Sequence, residues 1–410
     1  MTKPKPLWHG TLLVTGGAVG AGMFALPMVS AGPWMLWSTT GFILVWLMTY
    51  LAASLFAKVN LALVAQNQSG LDYQSSFNAL VMHTLGPRWA AINNISILFI
   101  MMILMYAYTS AGASIVSYSL ESIGIGTASD ARSWLSLAFA SIIALVVWLG
   151  TSLVSQVMLL LMVAMAVTFG IATFGVLPSV DLMSLTTPTN TFVYLFGALP
   201  VYVTAFACAG LVPSLVRHYK TQPQNVSRSI FAGTVLALLI YLFWLVVTLG
   251  SVGREGLGSV ITDGGNLGDL VKAMVNVGAD PTVQSRLNLF SHCAIVTSFL
   301  SVSLGLLHFI QDRLSLGNSA SQRLVAAVVC FAPPALASFF LPYGFVHAIS
   351  YAGMFVAFSF FILPGVMATV TSRNARTTDY GMLPNVIIGF GCLILLLKFA
   401  LVLSILPKFT

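Results

Sequence analysis

Predominantly apolar runs separated by short polar stretches organise the whole chain. Leu98 to Ile115 and Leu153 to Phe174 are continuous runs, without the strict alternation of a half-buried strand. A run of about 20 residues crosses a hydrocarbon core of roughly 30 Å as a helix, whereas barrel strands read as alternating segments of about ten. Inside lipid each backbone N–H and C=O needs a partner within its own segment, which also selects helices. The pattern predicts eleven spans, at residues 8–31, 35–57, 90–118, 133–150, 153–176, 191–217, 228–252, 285–312, 322–341, 344–371 and 383–406.

Small residues interrupt two of these spans near the middle. The first contains GGAVGAGM (Gly16 to Met23), and the sixth contains PVYVTAFACAGLVPS (Pro200 to Ser214), whose centre is flanked by prolines that a straight helix disfavours. Five spans counted from each break give units at about 8–176 and 191–371, with an extra helix at about 383–406. An odd number of spans per unit makes the second unit enter from the opposite side, so a repeat must be inverted. Inverted repeats with paired broken helices are a transporter architecture, with the binding site where the breaks meet. The expected fold class is therefore all-α integral membrane, one transporter domain over residues 1–410 with helices 1 and 6 broken.

Breaking a helix in lipid leaves backbone groups that need ligand, water or protein as partners. Gly16, Gly17, Gly20 and Gly22 permit positive φ and close approach; with Ala18, Val19 and Ala21 between them, they free N–H groups that can grip a carboxylate at a half-helix N-terminus. Across the site, freed carbonyls near Ala207, Cys208, Ala209 and Gly210 can hold an ammonium without a buried acid. The plainer alternative is that small residues serve tight helix packing. A dinucleotide site is excluded, because the first glycine run has neither a preceding strand nor GxGxxG spacing.

Composition agrees with a membrane solvent: 58% of residues are hydrophobic and 7% charged, against about a quarter charged in soluble domains. The net charge of +7 reports topology rather than nucleic acid. With a cytoplasmic N-terminus, Lys3, Lys5, Lys58, Arg88, Arg217, Lys220, Arg228, Arg313, Arg323, Arg373 and Arg376 lie inside, eleven of the seventeen Lys and Arg; Arg132, Arg254, Lys272, Arg286, Lys398 and Lys408 lie outside or in the last span, and Thr410 ends outside. Lys3 and Lys5 before an apolar stretch resemble a signal peptide, but the stretch is long and reads as a retained first span. Cys208, Cys293, Cys330 and Cys392 all fall in apolar runs, so neither a disulfide framework nor a metal site is indicated. The connection from Gly253 to Gln284 carries an amphipathic stretch, Leu267 to Val277, that reads as a lid or as a plain surface helix.

The residues GGAVGAGMFALP (Gly16 to Pro27), YAYTSAGAS (Tyr106 to Ser114), GLVPSL (Gly210 to Leu215), YLFWLVVTLGSV (Tyr241 to Val252), GGN (Gly264 to Asn266), TSFLSVSLGL (Thr297 to Leu306), FAPP (Phe331 to Pro334) and LPYGF (Leu341 to Phe345) run through nearly the whole chain. Together they resemble the hydroxy/aromatic amino acid permeases of the amino acid, polyamine and organocation superfamily, tryptophan permeases first and tyrosine permeases next. The resemblance implies a leucine-transporter-type fold, an aromatic amino acid as cargo, proton symport and a bacterial inner membrane. Three departures stand out: Ala209 replaces a common histidine, His308 a common acid and Lys58 a common glutamate.

No Asp or Glu lies in the interior of a predicted span, so a buried carboxylate relay is not expected. His308 is the candidate proton carrier, or else a histidine at the membrane interface. Thr297 and Ser298 sit at mid-membrane, where sodium-coupled relatives of the fold place hydroxyls against first-helix carbonyls; otherwise they bond their own helix. Sodium is thus an alternative to the proton. Phe24, Tyr106, Tyr108, Tyr202 and Phe206 are candidates to wall an indole or phenol ring. No cofactor is expected, and the absence of HExxH or of a clustered acid set argues against an intramembrane enzyme; an uncoupled facilitator or sensor stays open.

Overall fold

The structure is a computed structural model that describes residues 5–65, 75–125, 131–186, 191–220, 222–277, 281–317, 319–375, 380–407 and 409. Lys3, Arg376, Lys408 and Thr410 of the charge reading lie outside the described residues. The described residues form helices in the order α1 (Leu7–Ala18), α2 (Ala25–Ser30), α3 (Trp34–Ala65), α4 (Phe77–Leu85), α5 (Pro87–Ser122), α6 (Ala131–Leu149), α7 (Thr151–Val176), α8 (Leu182–Thr186), α9 (Phe192–Ala205), α10 (Val212–His218), α11 (Pro223–Thr262), α12 (Leu267–Val277), α13 (Pro281–Arg313), α14 (Ala320–Phe340), α15 (Phe345–Ala357), α16 (Leu363–Ala375) and α17 (Leu383–Val402), with no strand among them. Ten helices are long and apolar enough to cross a membrane, and Leu7–Ala18 with Ala21–Ser30 makes an eleventh span bent by 49°. The chain is a multi-pass membrane protein. On α7, Leu159 and Leu160 are 68% and 70% exposed, a face that only lipid makes favourable. Below, the near side of the membrane is the one carrying the first described residues, and the far side is the other.

Both expected interruptions are present. α1 ends at Ala18, Val19 turns extended (φ −79°, ψ 105°), and a short 3₁₀ turn over Ala21–Phe24 leads into α2. α9 stops at Ala205, the helix lapses over 206–208, and a 3₁₀ turn at Ala209–Leu211 restarts it as α10, the whole remaining one span of 27 residues. One expectation is corrected: the glycines of the first break do not use positive φ, since Gly20 sits at φ −152°. The close approach that was also expected is present at two of them, because a Cβ on Gly17 would stand 2.4 Å from Leu211 and one on Gly20 would stand 2.7 Å from the Ser298 hydroxyl.

The far-side connection also differs from the expected loop. α11 runs past residue 252, kinks at Gly253 (φ 72°, ψ 169°) and continues to Thr262, because glycine alone adopts that conformation without strain. The amphipathic stretch forms α12 as expected, burying Leu267, Leu270, Val271 and Met274. It sits directly on α5: the Gly268 N–H donates to Ser114 Oγ at 3.1 Å, and a Cβ on Gly268 would meet the Ser114 carbonyl at 2.4 Å. Asn266 Nδ2 and Ser110 Oγ both donate to the Pro342 carbonyl, at 2.9 and 2.6 Å, while Arg132 pairs with Asp269 and lies 5.0 Å from the Tyr343 ring centroid. These contacts seat α12 and Asn266 against α5 and the connection at Pro342.

Overpacking of this kind costs about 1–3 kcal/mol. Gly268→Val is therefore expected to lift α12 off α5 and to lower the melting temperature of the purified protein by several degrees. An unchanged melting curve would show that the α12 seat is not tight.

Candidate functional site at two interrupted spans

The break in the first span removes the ladder bond from the Gly20 N–H to the Gly16 carbonyl, and among the described residues neither group has another hydrogen-bond partner. The next amide is taken: the Ala21 N–H donates to Ser298 Oγ of α13 at 2.8 Å. On the sixth span the Ala207 carbonyl and the Gly210 N–H likewise have no partner among the described residues. One side chain joins the two breaks. The Tyr241 hydroxyl of α11 lies 2.6 Å from the Ala18 carbonyl and 2.9 Å from the Ala205 carbonyl. A phenol carries one proton, so two carbonyls from different spans share a single donor. One turn farther out, Trp244 Nε1 donates to the Met23 carbonyl at 3.1 Å.

A cavity of about 190 Å³ lies between these breaks. Of the residues expected from sequence, Gly16, Gly17, Ala18, Val19, Gly20, Gly22, Tyr108, Ala207, Thr297 and Ser298 line it. Tyr108 is only 7% exposed, and among the described residues its hydroxyl has no hydrogen-bond partner. α7 contributes Met158, Met162 and Met165, and Thr204, Ser301, Val302 and Ile349 complete the wall with Leu104 and Ala205. The methionines were not among the expected residues, although their i, i+4, i+7 spacing marks one helix face, and their flexible thioethers make an adaptable apolar surface.

The remaining expected residues lie elsewhere. Ala21 is buried behind the cavity, where its amide meets Ser298. Phe24 is buried on the far side, its ring 5.7 Å from Trp244 and 5.2 Å from Phe290. Tyr202 packs on Phe42 with ring centroids 4.1 Å apart, and its hydroxyl meets Ser30 Oγ at 2.8 Å. Phe206 stacks edge-on against the Tyr241 ring, 5.1 Å away. Cys208 and Ala209 are buried, and Gly210 faces Phe360. Tyr106 reaches the far-side connection, donating to the Leu341 carbonyl at 2.7 Å.

The coupling candidates separate in the same way. Thr297 Oγ1 donates to the Cys293 carbonyl of its own helix at 2.7 Å, and Ser298 meets an amide hydrogen rather than a first-span carbonyl. His308 is exposed on the near side of α13, about 15 Å along the helix from Ser298 at 1.5 Å per residue. Lys58 is exposed. Among the described residues no group of three or more His, Cys, Asp or Glu is placed to hold a metal ion.

An apolar helix bundle with a small cavity at mid-span, edged by free backbone polar groups, has the build of a membrane permease. The chain belongs to the tryptophan/tyrosine permease family, which matches it over residues 3–407. It is 36% identical over 372 residues to the tryptophan-specific transport protein of Pseudomonas aeruginosa (strain UCBPP-PA14), covering 90% of this chain and 87% of that protein. It is 32% identical over 418 residues to the low affinity tryptophan permease of Escherichia coli (strain K12), covering 99% and 98% of the two chains. The tyrosine permease of Enterobacter agglomerans is 32% identical over 419 residues, with 98% of each chain covered.

The two glycines separate close approach from open space. Gly20→Leu is expected to abolish uptake with the protein still inserted, whereas Gly22→Ala, whose Cβ meets nothing within 4 Å, keeps it. Equal behaviour of the two variants in an uptake assay on membrane vesicles would contradict the geometry. Tyr241→Phe strands two carbonyls, and losing a buried partner costs about 1–3 kcal/mol, or roughly tenfold in an equilibrium. The expected result is a melting temperature several degrees lower and uptake reduced at least that much; wild-type values for both would remove the bridging role.

Proposed function

We propose that this protein imports an aromatic amino acid, tryptophan first and tyrosine next, across a bacterial inner membrane. The observation that carries the reading is the meeting of two helix breaks at one cavity, with the Gly20 N–H on one side and the Ala207 carbonyl on the other unpartnered. A zwitterion is the natural ligand for such a pair: its carboxylate accepts from the amide at a half-helix N-terminus, and its ammonium donates to carbonyls. The indole or phenol ring lies along the methionine face of α7, with the Tyr108 hydroxyl as the polar group that orients it. The names of the relatives, tryptophan and tyrosine permeases, support the cargo.

The near side is the cytoplasm, which is the side favoured by the excess of Lys and Arg in the loops. The units at 8–176 and 191–371 rock about the site as inverted repeats. Two features support an inward-facing state: the far side is closed by α12 and by the Phe24–Trp244–Phe290 cluster, and Gly16 and Gly17 are exposed. The cavity is smaller than the roughly 300–1,000 Å³ of typical small-molecule pockets, so cargo binding widens it.

The coupling ion is the proton. Supporting this choice over sodium, Ser298 faces an amide and Thr297 its own helix, and the space between the Ala18 and Ala205 carbonyls already holds the Tyr241 hydroxyl. The test is reconstitution in liposomes, with labelled tryptophan, tyrosine and serine taken up under imposed proton or sodium gradients. Accumulation of the aromatic substrates driven by a pH gradient alone is expected. A strict sodium requirement overturns the coupling, and plain equilibration makes the protein a facilitator.

A further inference from the structure

Two histidines meet where the near-side halves of the interrupted spans come together. His9 lies in the first turn of α1 and His218 ends α10, and their ring centroids are 5.9 Å apart with the ring planes at 72°. The backbones that carry them are already clasped, since the Tyr219 hydroxyl accepts from the Gly10 N–H at 3.0 Å and donates to the Pro6 carbonyl at 2.9 Å. A Cβ on Gly10 would stand 2.7 Å from the Tyr219 ring, so the approach is close. Neither imidazole serves this clasp. His218 Nε2 is buried with no hydrogen-bond partner among the described residues, and the exposed His9 ring has none there either. A buried polar atom left unpartnered in this way points to an ion or ligand that completes it.

We propose that His9 and His218 form a binding site for one zinc-class divalent ion, shared between α1 and α10. Imidazole nitrogens ligate such an ion at about 2.0–2.1 Å, which sets the centroids of two ligating rings roughly 5–6.5 Å apart. The observed separation lies inside that range. His9, being exposed, is free to turn its ring toward the ion, and water completes the coordination shell. Among the described residues no Asp, Glu or Cys joins the pair as a third ligand, so the set is imidazole alone, which suits zinc, nickel or copper and not the oxygen-seeking magnesium or calcium. The consequence for transport rests on the alternating-access reading above. α1 belongs to the unit at 8–176 and α10 to the unit at 191–371, so a bridging ion ties the near-side ends of the two interrupted spans at one spacing and slows the cycle without entering the central cavity.

The test uses the purified full-length protein without a polyhistidine tag. Zn²⁺ binding is followed by titration calorimetry, bound Cu²⁺ by electron paramagnetic resonance, and tryptophan uptake in proteoliposomes with Zn²⁺ on both sides. Saturable binding of Zn²⁺ is expected, with the Cu²⁺ spectrum showing coupling to two imidazole nitrogens and the maximal uptake rate lowered at unchanged KM. His9→Gln and His218→Gln are each expected to weaken Zn²⁺ binding roughly tenfold or more and to relieve the inhibition, with metal-free uptake near wild type. The two variants lie on different helices, so a folding defect in one does not decide the matter. Absence of saturable binding, affinity unchanged in both variants, or displacement of Zn²⁺ by an equal concentration of Mg²⁺ overturns the site, and Zn²⁺ binding that leaves uptake undiminished overturns the restraint on α1 and α10. Calorimetry and resonance need no transport, so a failure of the import reading is told apart from a failure of the site.

Discussion

The constraint on which the rest of this structure depends is that a helix broken inside a bilayer must find partners for the groups it frees. Each amide or carbonyl left unpaired away from water costs about 2–7 kcal/mol. Two breaks at one depth multiply that cost, and here they also reduce it, because one hydroxyl serves both. Tyr241 lies within hydrogen-bond distance of Ala18 and Ala205, and Ser298 takes the Ala21 amide. Of the groups that these side chains leave unmatched, the Gly16 carbonyl, the Gly20 amide and the Ala207 carbonyl belong to residues that line the cavity, while the Gly210 amide does not. The polar groups of the cavity are therefore backbone atoms and the hydroxyls of Tyr108, Thr204, Thr297, Ser298 and Ser301, without an acid.

Around that centre the two sides of the membrane are built differently. Toward the far side the contacts are specific: Trp244 on the Met23 carbonyl, Phe24 against Phe290, Gly268 against Ser114, and Arg132 with Asp269. Toward the near side α1 keeps one face open at Gly16 and Gly17, while its other face is fastened to α11 through the Thr15 hydroxyl and the Gly233 carbonyl. A glycine at the seam between α1 and α11 and another beneath α12 let backbones approach where any side chain would collide. Packed helices in general shift between discrete arrangements rather than deforming smoothly.

Much of this was legible in the chain itself. The spans follow from the lengths of apolar runs, and both interruptions from GGAVGAGM and the proline-flanked PVYVTAFACAGLVP. The amphipathic stretch from Leu267 formed its helix where its periodicity put it. What escaped was rotational and non-local. Sequence says that Tyr106, Tyr108, Tyr202 and Phe206 are aromatic and near the breaks, but only the helix rotation in the bundle turns Tyr108 to the cavity and sends Tyr106 to the Leu341 carbonyl. Tyr241 and Trp244 stood inside a quoted motif without a role, because their partners lie more than 200 residues away along the chain for Ala18 and Met23. The glycines were read as permitting positive φ and close approach; only close approach is used, at Gly17 and Gly20, and which glycines need it depends on Leu211 and Ser298 from other spans.

The most direct measurement is an experimental structure of the protein in lipid nanodiscs with tryptophan bound. The carboxylate is expected against the Gly20 amide, the ammonium toward the Ala207 carbonyl, and the indole between Tyr108 and the methionines of α7. Tryptophan density clear of both interruptions, or an α1 span straightened through Val19 and Gly20, would contradict the central claim.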